Sequence, residues 1–310
     1  MSERTIAVVG AGVIGLSWTT LFLAKGFRVR LCDPRPDLAQ AAREGIGQFA
    51  PTVPGFTGTA EELLTRLEFA PDAVHAVHDV VAVQENGPER LEFKQDLFAA
   101  LEKAAPADAL LLSSTSGLVP SLLGEKMTDP GRVLVGHPFN PPHVLPLVEI
   151  VPNPATTPET IARAVAFYRE LGKTPVPLHK ESRGFVANRL QGALFAEAIT
   201  LVQDGVVDPA ELDEIVRTSL GVRWASVGPF EAFHLGGGPE GLRHLLTHLG
   251  PGMARGWAMR RTPELDESTV DMLATAAEQS FGTEDYAGRT LRRDRRQLAV
   301  LAGLEQAEEA

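Results

Sequence analysis

The chain has 310 residues, of which 44% are hydrophobic and 22% are charged, and its formal net charge at pH 7 is −11. A chain of this length can bury a large core and form two domains. The acidic balance argues against nucleic acid as a partner, and weakly against substrates that are polyanions.

The sequence also bears on where the protein works. No apolar run approaches the roughly 18–20 residues that a membrane span needs, so we expect no membrane partner. The N-terminal residues lead into a strand-like run without a signal-peptide pattern. A single cysteine, Cys32, excludes an internal disulfide and fits a reducing compartment. We therefore expect a cytoplasmic protein, with Cys32 as a small buried hydrophobic residue.

The first elements have the pattern of a dinucleotide-binding site. A buried strand is predicted at 5–9, followed at once by Gly10-Ala11-Gly12-Val13-Ile14-Gly15 and by a helix at 16–25. This is G-x-G-x-x-G between strand and helix, where the glycines allow a tight turn, approach of the backbone to a pyrophosphate and close helix packing. The pyrophosphate would lie at the helix N-terminus, whose N–H groups lack partners.

The acid after the second strand indicates which dinucleotide binds. The strand at 27–32 ends at Asp33, roughly 20 residues past the glycines, where a carboxylate would hydrogen-bond the ribose hydroxyls and repel a 2′-phosphate. This favours NAD over NADP, although Arg35 weakens the preference. The alternative to dinucleotide binding is that the glycine-rich segment is a plain turn between strand and helix. The predicted cofactor contacts here are Gly10, Gly12, Val13, Ile14, Gly15 and Asp33.

Strands and helices then alternate up to residue 184. Further strands are predicted at 80–83, 110–113, 133–135, 147–151 and 175–178, with helical segments at 36–67 and 88–102. This alternation predicts an α/β fold with a Rossmann-type, mostly parallel sheet. In such a sheet ligands bind beyond the carboxyl ends of the strands, so the loops there should share one crevice.

The pattern after residue 184 is helical. Helices are predicted at 185–204, from Asp208 to a stop at Gly221, and at 239–249, 266–281 and 284–306. The sequence therefore predicts an NAD-binding domain over 1–184, followed by an all-helical substrate and dimerisation domain over 185–310.

The most informative stretch runs from 136 to 149. Four prolines in this stretch forbid a helix and make a rigid loop between two apolar strands. His137 ends the first strand and Glu149 lies in the second. An imidazole oriented by a carboxylate is a general acid–base unit. The alternative is a proline-stiffened turn in which His137 makes one structural hydrogen bond.

Several other polar residues have two interpretations. Ser116, at a strand end, either caps a helix or contacts the substrate oxygen or the nicotinamide. Asn188, at the start of the helix after 184, is either a cap or a residue of the cleft. His244 and His248 have a zinc-ligand spacing but lack a third ligand, so we interpret them as structural and predict no metal. The basic run at 292–296 is predicted to be a salt-bridged helical face.

These motifs together resemble the 3-hydroxyacyl-CoA dehydrogenase family over nearly the whole chain. The matching segments are 10–15, Ser113-Ser114-Thr115-Ser116, Gly136-His137-Pro138-Phe139-Asn140-Pro141, Leu147-Val148-Glu149 and Gly184-Phe185-Val186-Ala187-Asn188-Arg189-Leu190. Within the family, 114–121, 146–152 and Gly221-Val222-Arg223-Trp224-Ala225 are similar to the branch acting on free hydroxy acids, which includes L-gulonate 3-dehydrogenase (lambda-crystallin) and carnitine dehydrogenase.

The resemblance implies roles for individual residues. His137 would be the catalytic base and Glu149 its partner, with Ser116 and Asn188 as polar contacts to the substrate oxygen and the nicotinamide. Glu89 and Lys94 match family positions that touch NAD, and Asn140 falls in the matching loop as a substrate contact. The resemblance also implies a homodimer formed through the helical domain.

The segment from 36 to 71 departs from the acyl-CoA enzymes, which carry lysines there for the CoA phosphates. It contains no lysine, and its only arginines are Arg43 and Arg66. This favours a small 3-hydroxy acid, L-gulonate-like or carnitine-like, as the substrate. The alternatives are a 3-hydroxyacyl-CoA dehydrogenase and a non-catalytic NAD-binding structural protein.

Four residues near 223–233 offer contacts to such a substrate. Arg223 is a candidate to bind a free carboxylate, since guanidinium groups form two parallel hydrogen bonds with one; the alternative is a surface or dimer salt bridge. Trp224, Phe230 and Phe233 would suit a quaternary ammonium. Their more ordinary interpretation is core packing.

Overall fold

The computed structural model describes residues 4–282 and 285–309. Contacts between Cα atoms divide the chain into two compact units. The first unit contains Met1–Asn188 and Leu291–Leu298, and the second contains Arg189–Thr290 and Ala299–Ala310. No sequence pattern indicated that the eight residues Leu291–Leu298 would belong to the first unit.

The first unit is built on a sheet with the strand order β3-β2-β1-β4-β5-β6-β7-β8. Its strands are β1 (Thr5–Val9), β2 (Arg28–Cys32), β3 (Leu67–Phe69), β4 (Ala82–Glu85), β5 (Leu110–Ser113), β6 (Val133–Pro138), β7 (Leu147–Pro152) and β8 (Thr174–Pro177). Neighbouring strands are parallel except β6 and β7, which are antiparallel. The predicted Rossmann-type, mostly parallel sheet is therefore confirmed.

Helices connect these strands and cover the sheet. They are α1 (Val13–Ala24), α2 (Leu38–Phe49), α3 (Ala60–Leu64), α4 (Ala73–Ala76), α5 (Leu91–Ala104), α6 (Pro120–Leu123) and α7 (Pro158–Glu170). One buried cluster contains the stacked rings of Trp18 and Phe22. A second contains Phe98 and Phe185. Strands β1, β4 and β5 are buried along their whole length, as expected of central parallel strands.

Three details of the first unit differ from the prediction. The edge strand β3 was not predicted, and the helical segment predicted at 36–67 overlaps it at Leu67, because three residues are too short to show a strand periodicity. Strand β4 covers 82–85 instead of 80–83. Helix α5 begins at Leu91 and not at Pro88, because Arg90 still has an extended backbone with φ −123° and ψ 117°.

The described residues of the second unit form helices joined by loops. The helices that lie in it wholly or in large part are α8 (Ala187–Gln203), α9 (Pro209–Val216), α10 (Val222–Ser226), α11 (Pro229–Gly236), α12 (Gly241–Ala258), α13 (Glu267–Phe281) and α14 (Tyr286–Glu309). The predicted capping box of Asp208 and Glu211 is present. Within the residues that the structure describes, no helix has the length and apolar character that crossing a membrane requires.

Two expectations about the second unit are wrong. Gly221 does not end a helix, since the chain passes from α9 through a π-helical stretch into α10 and Gly221 keeps a helical φ of −60°. Trp224, Phe230 and Phe233 are not core residues, because they are 41%, 80% and 42% exposed. Aromatic character alone did not indicate which helix face would be covered.

Other second-unit predictions concern histidines on α12 and the basic run on α14. His244 pairs with Glu240 at 2.9 Å, and His248 Nδ1 lies 2.8 Å from the carbonyl oxygen of His244. These local contacts agree with a structural interpretation. In the basic run, Arg293 pairs with its neighbour Asp294 at 2.7 Å, as predicted, but Asp294 is buried and not solvated.

The buried carboxylate of Asp294 lies next to a buried histidine of the first unit. His143 is fully buried, and its Nε2 lies 3.5 Å from Asp294 Oδ2. The Ser17 hydroxyl oxygen accepts the backbone N–H of His143 and lies 2.8 Å from Nδ1, to which the hydroxyl donates when the ring is neutral. The Thr52 hydroxyl donates to the Phe49 carbonyl and therefore accepts from Nε2–H at 3.0 Å. His143 is accordingly a neutral ring protonated on Nε2.

This histidine makes the fold sensitive to acid. Burial, and then the positive charges of Lys173 and Arg293, lower the pKa of His143 from 6.5 to about 3. The unfolded chain takes up a proton below pH 6.5 while the folded chain does not, so stability falls as the pH falls from 6.5 to 3. At pH 5 this group is expected to lower the free energy of unfolding by about 2 kcal/mol.

Urea denaturation at pH 7 and pH 5 measures this loss. The same experiment on a His143→Asn variant, which keeps polar atoms in the site but does not titrate, should show a smaller decrease. An equal decrease in both proteins would assign the acid sensitivity to other groups.

Candidate active site

The glycine-rich loop between β1 and α1 has room for a dinucleotide. Gly10 has a φ of +99°, and a Cβ atom on it would lie 2.6 Å from the Asn86 carbonyl oxygen. A Cβ on Gly15 would lie 1.9 Å from the Gly10 carbonyl oxygen, whereas nothing lies within 4 Å of a Cβ on Gly12. Gly12 is the N-cap residue of α1, so no N-cap side chain occupies the free N–H groups of the first turn. The first turn of α1 is therefore open to a pyrophosphate.

Asp33 lies at the carboxyl end of β2 and bonds directly to this loop. Its Oδ2 accepts the backbone N–H of Ala11 at 2.7 Å, and its Oδ1 accepts that of Arg35 at 2.9 Å. The side chain of Arg35 pairs with Asp37 at 2.7 Å. The carboxylate is thus held beside the glycine-rich loop, while the nearby guanidinium has another acid as its partner.

His137 and Glu149 face each other across two antiparallel strands. They are directly opposite in the register of β6 and β7, and His137 Nδ1 lies 2.8 Å from Glu149 Oε2. Both side chains are buried, with 6% and 2% exposed. The structure thus brings together the imidazole and the carboxylate that the sequence predicted to meet.

Glu149 also receives two backbone N–H groups from the start of α8. Its Oε1 accepts from Val186 at 2.9 Å and from Ala187 at 3.1 Å. Burial alone would raise the pKa of Glu149, but the hydrogen bonds from His137, Val186 and Ala187 outweigh it and lower the pKa. The carboxylate therefore stays ionised and accepts hydrogen bonds only.

The charge state of Glu149 determines the tautomer of His137. An ionised carboxylate can only accept, so Nδ1 of His137 carries the hydrogen and Nε2 is left with a free lone pair. Among the described residues Nε2 has no hydrogen-bond partner. A neutral histidine in this state can accept a proton from a hydroxyl group at Nε2.

Phe185 packs beside this pair in an unusual backbone conformation. Its φ is +48°, a left-handed value that bulky residues rarely adopt, and Gly184 before it has φ +71°. The Phe185 ring is buried and its centroid lies 5.3 Å from that of His137. Strained backbone of this kind is characteristic of functional sites. The only sequence feature that pointed to this backbone conformation was the glycine before Phe185 at the start of a predicted helix.

Ser116 and Asn188 are brought together at the carboxyl end of β5. The side-chain nitrogen of Asn188 donates to the backbone carbonyl of Ser116 at 3.3 Å. The Ser116 side chain is exposed. An N-cap side chain accepts a hydrogen bond from a backbone N–H, whereas the Asn188 side chain donates one here, so this bond is not an N-cap. Contacts of either residue to a substrate remain predictions.

Glu89 and Lys94 belong to a polar cluster beyond β4. Lys94 is buried, and its Nζ lies 2.6 Å from Oε1 of Glu85, an acid that the sequence interpretation overlooked. Glu89 accepts a hydrogen bond from the Thr115 hydroxyl. Lys94 Nζ donates to both carboxylate oxygens of Glu85 and to the Gly87 carbonyl oxygen, and contact of Glu89 or Lys94 with NAD stays a prediction. The sequence signal for this ion pair was an acid, Glu85, at the end of an apolar strand and nine residues before a lysine.

The remaining predicted residues lie elsewhere. Asn140 is exposed in the loop between β6 and β7. Arg223 belongs to the second unit, on α10, where it is exposed and has no ion pair among the described residues. The structure therefore groups His137, Glu149, Ser116 and Asn188 in the first unit, and leaves Arg223 outside this group.

Comparison with known proteins agrees with these features. Residues 5–182 match the family model for the 3-hydroxyacyl-CoA dehydrogenase NAD binding domain, and residues 184–285 match that for the 3-hydroxyacyl-CoA dehydrogenase C-terminal domain. An L-carnitine dehydrogenase of Pseudomonas sp is 40% identical over 301 residues, covering 97% of this chain and 94% of that protein. A 3-hydroxyacyl-CoA dehydrogenase of Gibberella moniliformis is 40% identical over 305 residues, covering 96% and 94%.

A solved structure shows the same fold. The 3-hydroxybutyryl-CoA dehydrogenase of Escherichia coli K12 has a TM-score of 0.66 and 27% identity, covering 90% of this chain and 58% of that chain. The fold and the sequence matches define an NAD-dependent dehydrogenase that acts on CH–OH groups. The chain belongs to the 3-hydroxyacyl-CoA dehydrogenase family.

Proposed function

We propose that the protein oxidises the 3-hydroxyl group of a small, carnitine-like 3-hydroxy acid to the 3-keto product with NAD. The His137–Glu149 pair carries this proposal, because it supplies a general base at the carboxyl ends of the strands, where ligands bind in such sheets. The relatives named L-carnitine dehydrogenase, at about 40% identity over nearly the whole chain, support the substrate class.

In this reaction the protein handles a proton. NAD, when bound, supplies the acceptor for the hydride from carbon 3 of the substrate. His137 accepts the hydroxyl proton at Nε2, because Nδ1 is occupied by its bond to Glu149. Glu149 then stabilises the imidazolium, and the N–H groups of Val186 and Ala187 keep its carboxylate ionised. Ser116 and Asn188 contact the substrate oxygen and the nicotinamide.

The substrate class rests on residues that differ from those suited to CoA. The segment 36–71 contains no lysine to bind CoA phosphates. In the first unit, Asn140 offers an amide in the loop after His137. Arg223, in the second unit, carries an exposed guanidinium, a group that binds free carboxylates. The exposed rings of Trp224, Phe230 and Phe233 can receive a quaternary ammonium group.

A substrate panel tests the proposal. NADH appearance is measured with L-carnitine, L-gulonate, 3-hydroxybutyrate and 3-hydroxybutyryl-CoA. We expect turnover of a free hydroxy acid, with carnitine preferred. A kcat/KM for 3-hydroxybutyryl-CoA above that of every free acid would identify an acyl-CoA enzyme instead. NAD binding without turnover of any compound would favour a non-catalytic NAD-binding protein.

The Asp33→Ala variant tests the cofactor assignment. Loss of charge-assisted hydrogen bonds to the ribose hydroxyls, and of the repulsion of a 2′-phosphate, should lower the NAD over NADP ratio of kcat/KM about 10- to 100-fold. The measurement is a pair of cofactor titrations with one substrate. Glu61→Ala, which removes an exposed acid on α3, is the control and should keep the wild-type ratio. An unchanged ratio in Asp33→Ala would refute the ribose assignment.

We also propose that the protein is a cytoplasmic homodimer formed through the helical domain. Leu190 and Phe195 on α8 are 62% and 63% exposed in the single chain, which is a large apolar exposure for two neighbouring turns. The single cysteine fits a reducing compartment. Sedimentation equilibrium should give twice the chain mass of 33.3 kDa. A monomer mass would contradict the dimer.

A further inference from the structure

The segment that connects β6 to β7, residues 139–146, is held by buried side chains that the proposed reaction does not use. We call this segment the connecting loop. It carries Asn140 and Phe139, and the Phe139 ring lies edge-on to His137 with centroids 6.1 Å apart. Any shift of the connecting loop would therefore displace groups next to the proposed base.

Lys173 holds the connecting loop by its carbonyl groups. This lysine is 8% exposed and precedes β8. Its Nζ donates to the carbonyl oxygen of Pro142 and, at 3.0 Å, to that of Leu145. The same Nζ lies 5.8 Å from the centroid of the Trp18 ring on α1. Burial, and then the charge of Lys25, lower the pKa of Lys173 to about 7, and the neutral amine still has two hydrogens to donate.

His143 holds the connecting loop by its backbone N–H and its ring. The N–H donates to the Ser17 hydroxyl at 3.0 Å, and the neutral ring is fixed between the hydroxyl groups of Ser17 and Thr52. Asp294, from the C-terminal helix, faces the Nε2 side of the ring. Residue 294 lies beyond residue 285, where the match to the C-terminal family domain ends.

The two anchors converge on α1. Ser17 and Trp18 lie about one turn into α1, which begins at Val13, so the helix that presents its N-terminus to the cofactor also holds the connecting loop. Trp18 donates in addition to the Ser114 hydroxyl at 3.2 Å, at the carboxyl end of β5. These bonds connect the cofactor side and the substrate side of one site through buried polar groups.

We propose that Lys173 and His143 are positioning residues, which fix the connecting loop on α1 and so place Asn140 and Phe139 beside His137 for substrate binding. The inference rests on the proposed function. It does not require either residue to touch the substrate. Because Nδ1 of His137 is held by Glu149 across the sheet, loosening the loop should disturb substrate placement more than the base itself.

The test compares Lys173→Met with Lys103→Met. Methionine at 173 keeps most of the apolar stem of the side chain but removes the donor from two buried carbonyl groups, whereas Lys103 is exposed on α5 and serves as the control. We expect Lys173→Met to lower kcat/KM for the hydroxy acid about tenfold, mainly through a higher KM. The NADH dissociation constant should stay at the wild-type value. Lys173→Gln, which restores an N–H donor, should recover part of the loss.

Amide hydrogen exchange gives a readout that does not depend on turnover. In Lys173→Met the amides of His143, Val144 and Leu145 should exchange faster, while exchange in β1 and β4 stays unchanged. Ser17→Ala should show the same localised change, and it replaces the lysine variant if that variant does not fold. Lys103→Met should exchange like wild type.

The outcomes separate this inference from the proposed function. A wild-type protein that turns over no hydroxy acid refutes the proposed function, and the exchange data then still decide whether Lys173 and Ser17 hold the loop. Unchanged exchange at 143–145 in both variants would overturn the inference. So would a loss in kcat/KM that falls wholly on kcat or is matched by weaker NADH binding.

Discussion

Replacing His137 with glutamine is expected to lower kcat by about 10²- to 10⁴-fold and to leave NAD affinity unchanged. Glutamine can still donate to Glu149, which accepts from Nδ1 of His137 in the wild type, so the strand pair should keep its structure. It has no group that can take up a proton near neutral pH. The variant therefore removes the base and preserves the fold.

The measurement combines kcat on the preferred hydroxy acid with NADH binding by fluorescence titration. His179→Gln, which changes an exposed histidine after β8, is the matched control and should behave as wild type. A loss of NADH binding equal to the loss of turnover would show that His137 is structural.

Replacing Glu149 with glutamine is expected to lower kcat by about 10³-fold or more, through the tautomer of the histidine as well as through charge. The side-chain oxygen of glutamine can keep accepting from Val186 and Ala187, so its NH₂ group then faces Nδ1 of His137. A donor at that position makes Nδ1 the acceptor and places the hydrogen on Nε2. A histidine in that tautomer cannot accept the hydroxyl proton at Nε2.

A matched carboxylate variant tests this explanation. Glu181→Gln is the control, since Glu181 accepts from the backbone N–H of Ser121 at 3.0 Å and is no part of the proposed proton path. It should turn over at the wild-type rate. A Glu149→Gln enzyme with nearly wild-type kcat would remove Glu149 from the mechanism, whatever its effect on stability.

The parts of the site that follow from local sequence could be predicted. The glycine-rich turn and Asp33 are set by chain spacing within one strand–helix–strand unit, and the structure has Asp33 bonded to the Ala11 N–H. The His137–Glu149 contact follows from two apolar strands joined by a short rigid loop. Opposite positions in an antiparallel pair bring side chains within reach of each other.

Long-range polar contacts could not be predicted in this way. His143 meets Ser17 and Asp294, which lie 126 and 151 positions away along the chain, and nothing in their local patterns indicates the contact. The left-handed backbone at Phe185 could not be predicted either, since sequence rules associate a positive φ with glycine. The prediction that a helix ends at Gly221 was wrong because the following residues continue the helical backbone.

The central claim is that His137 accepts the substrate's hydroxyl proton when the hydride leaves carbon 3. A rapid-mixing single-turnover experiment, with enzyme in excess over L-carnitine and saturating NAD, tests it most directly by following NADH and proton release together in wild type and His137→Gln. We predict that proton release by the wild type does not precede NADH formation, because His137 holds the proton first, and that the variant forms NADH more slowly by about 10²-fold or more. NADH formation at the wild-type rate in His137→Gln would contradict the claim.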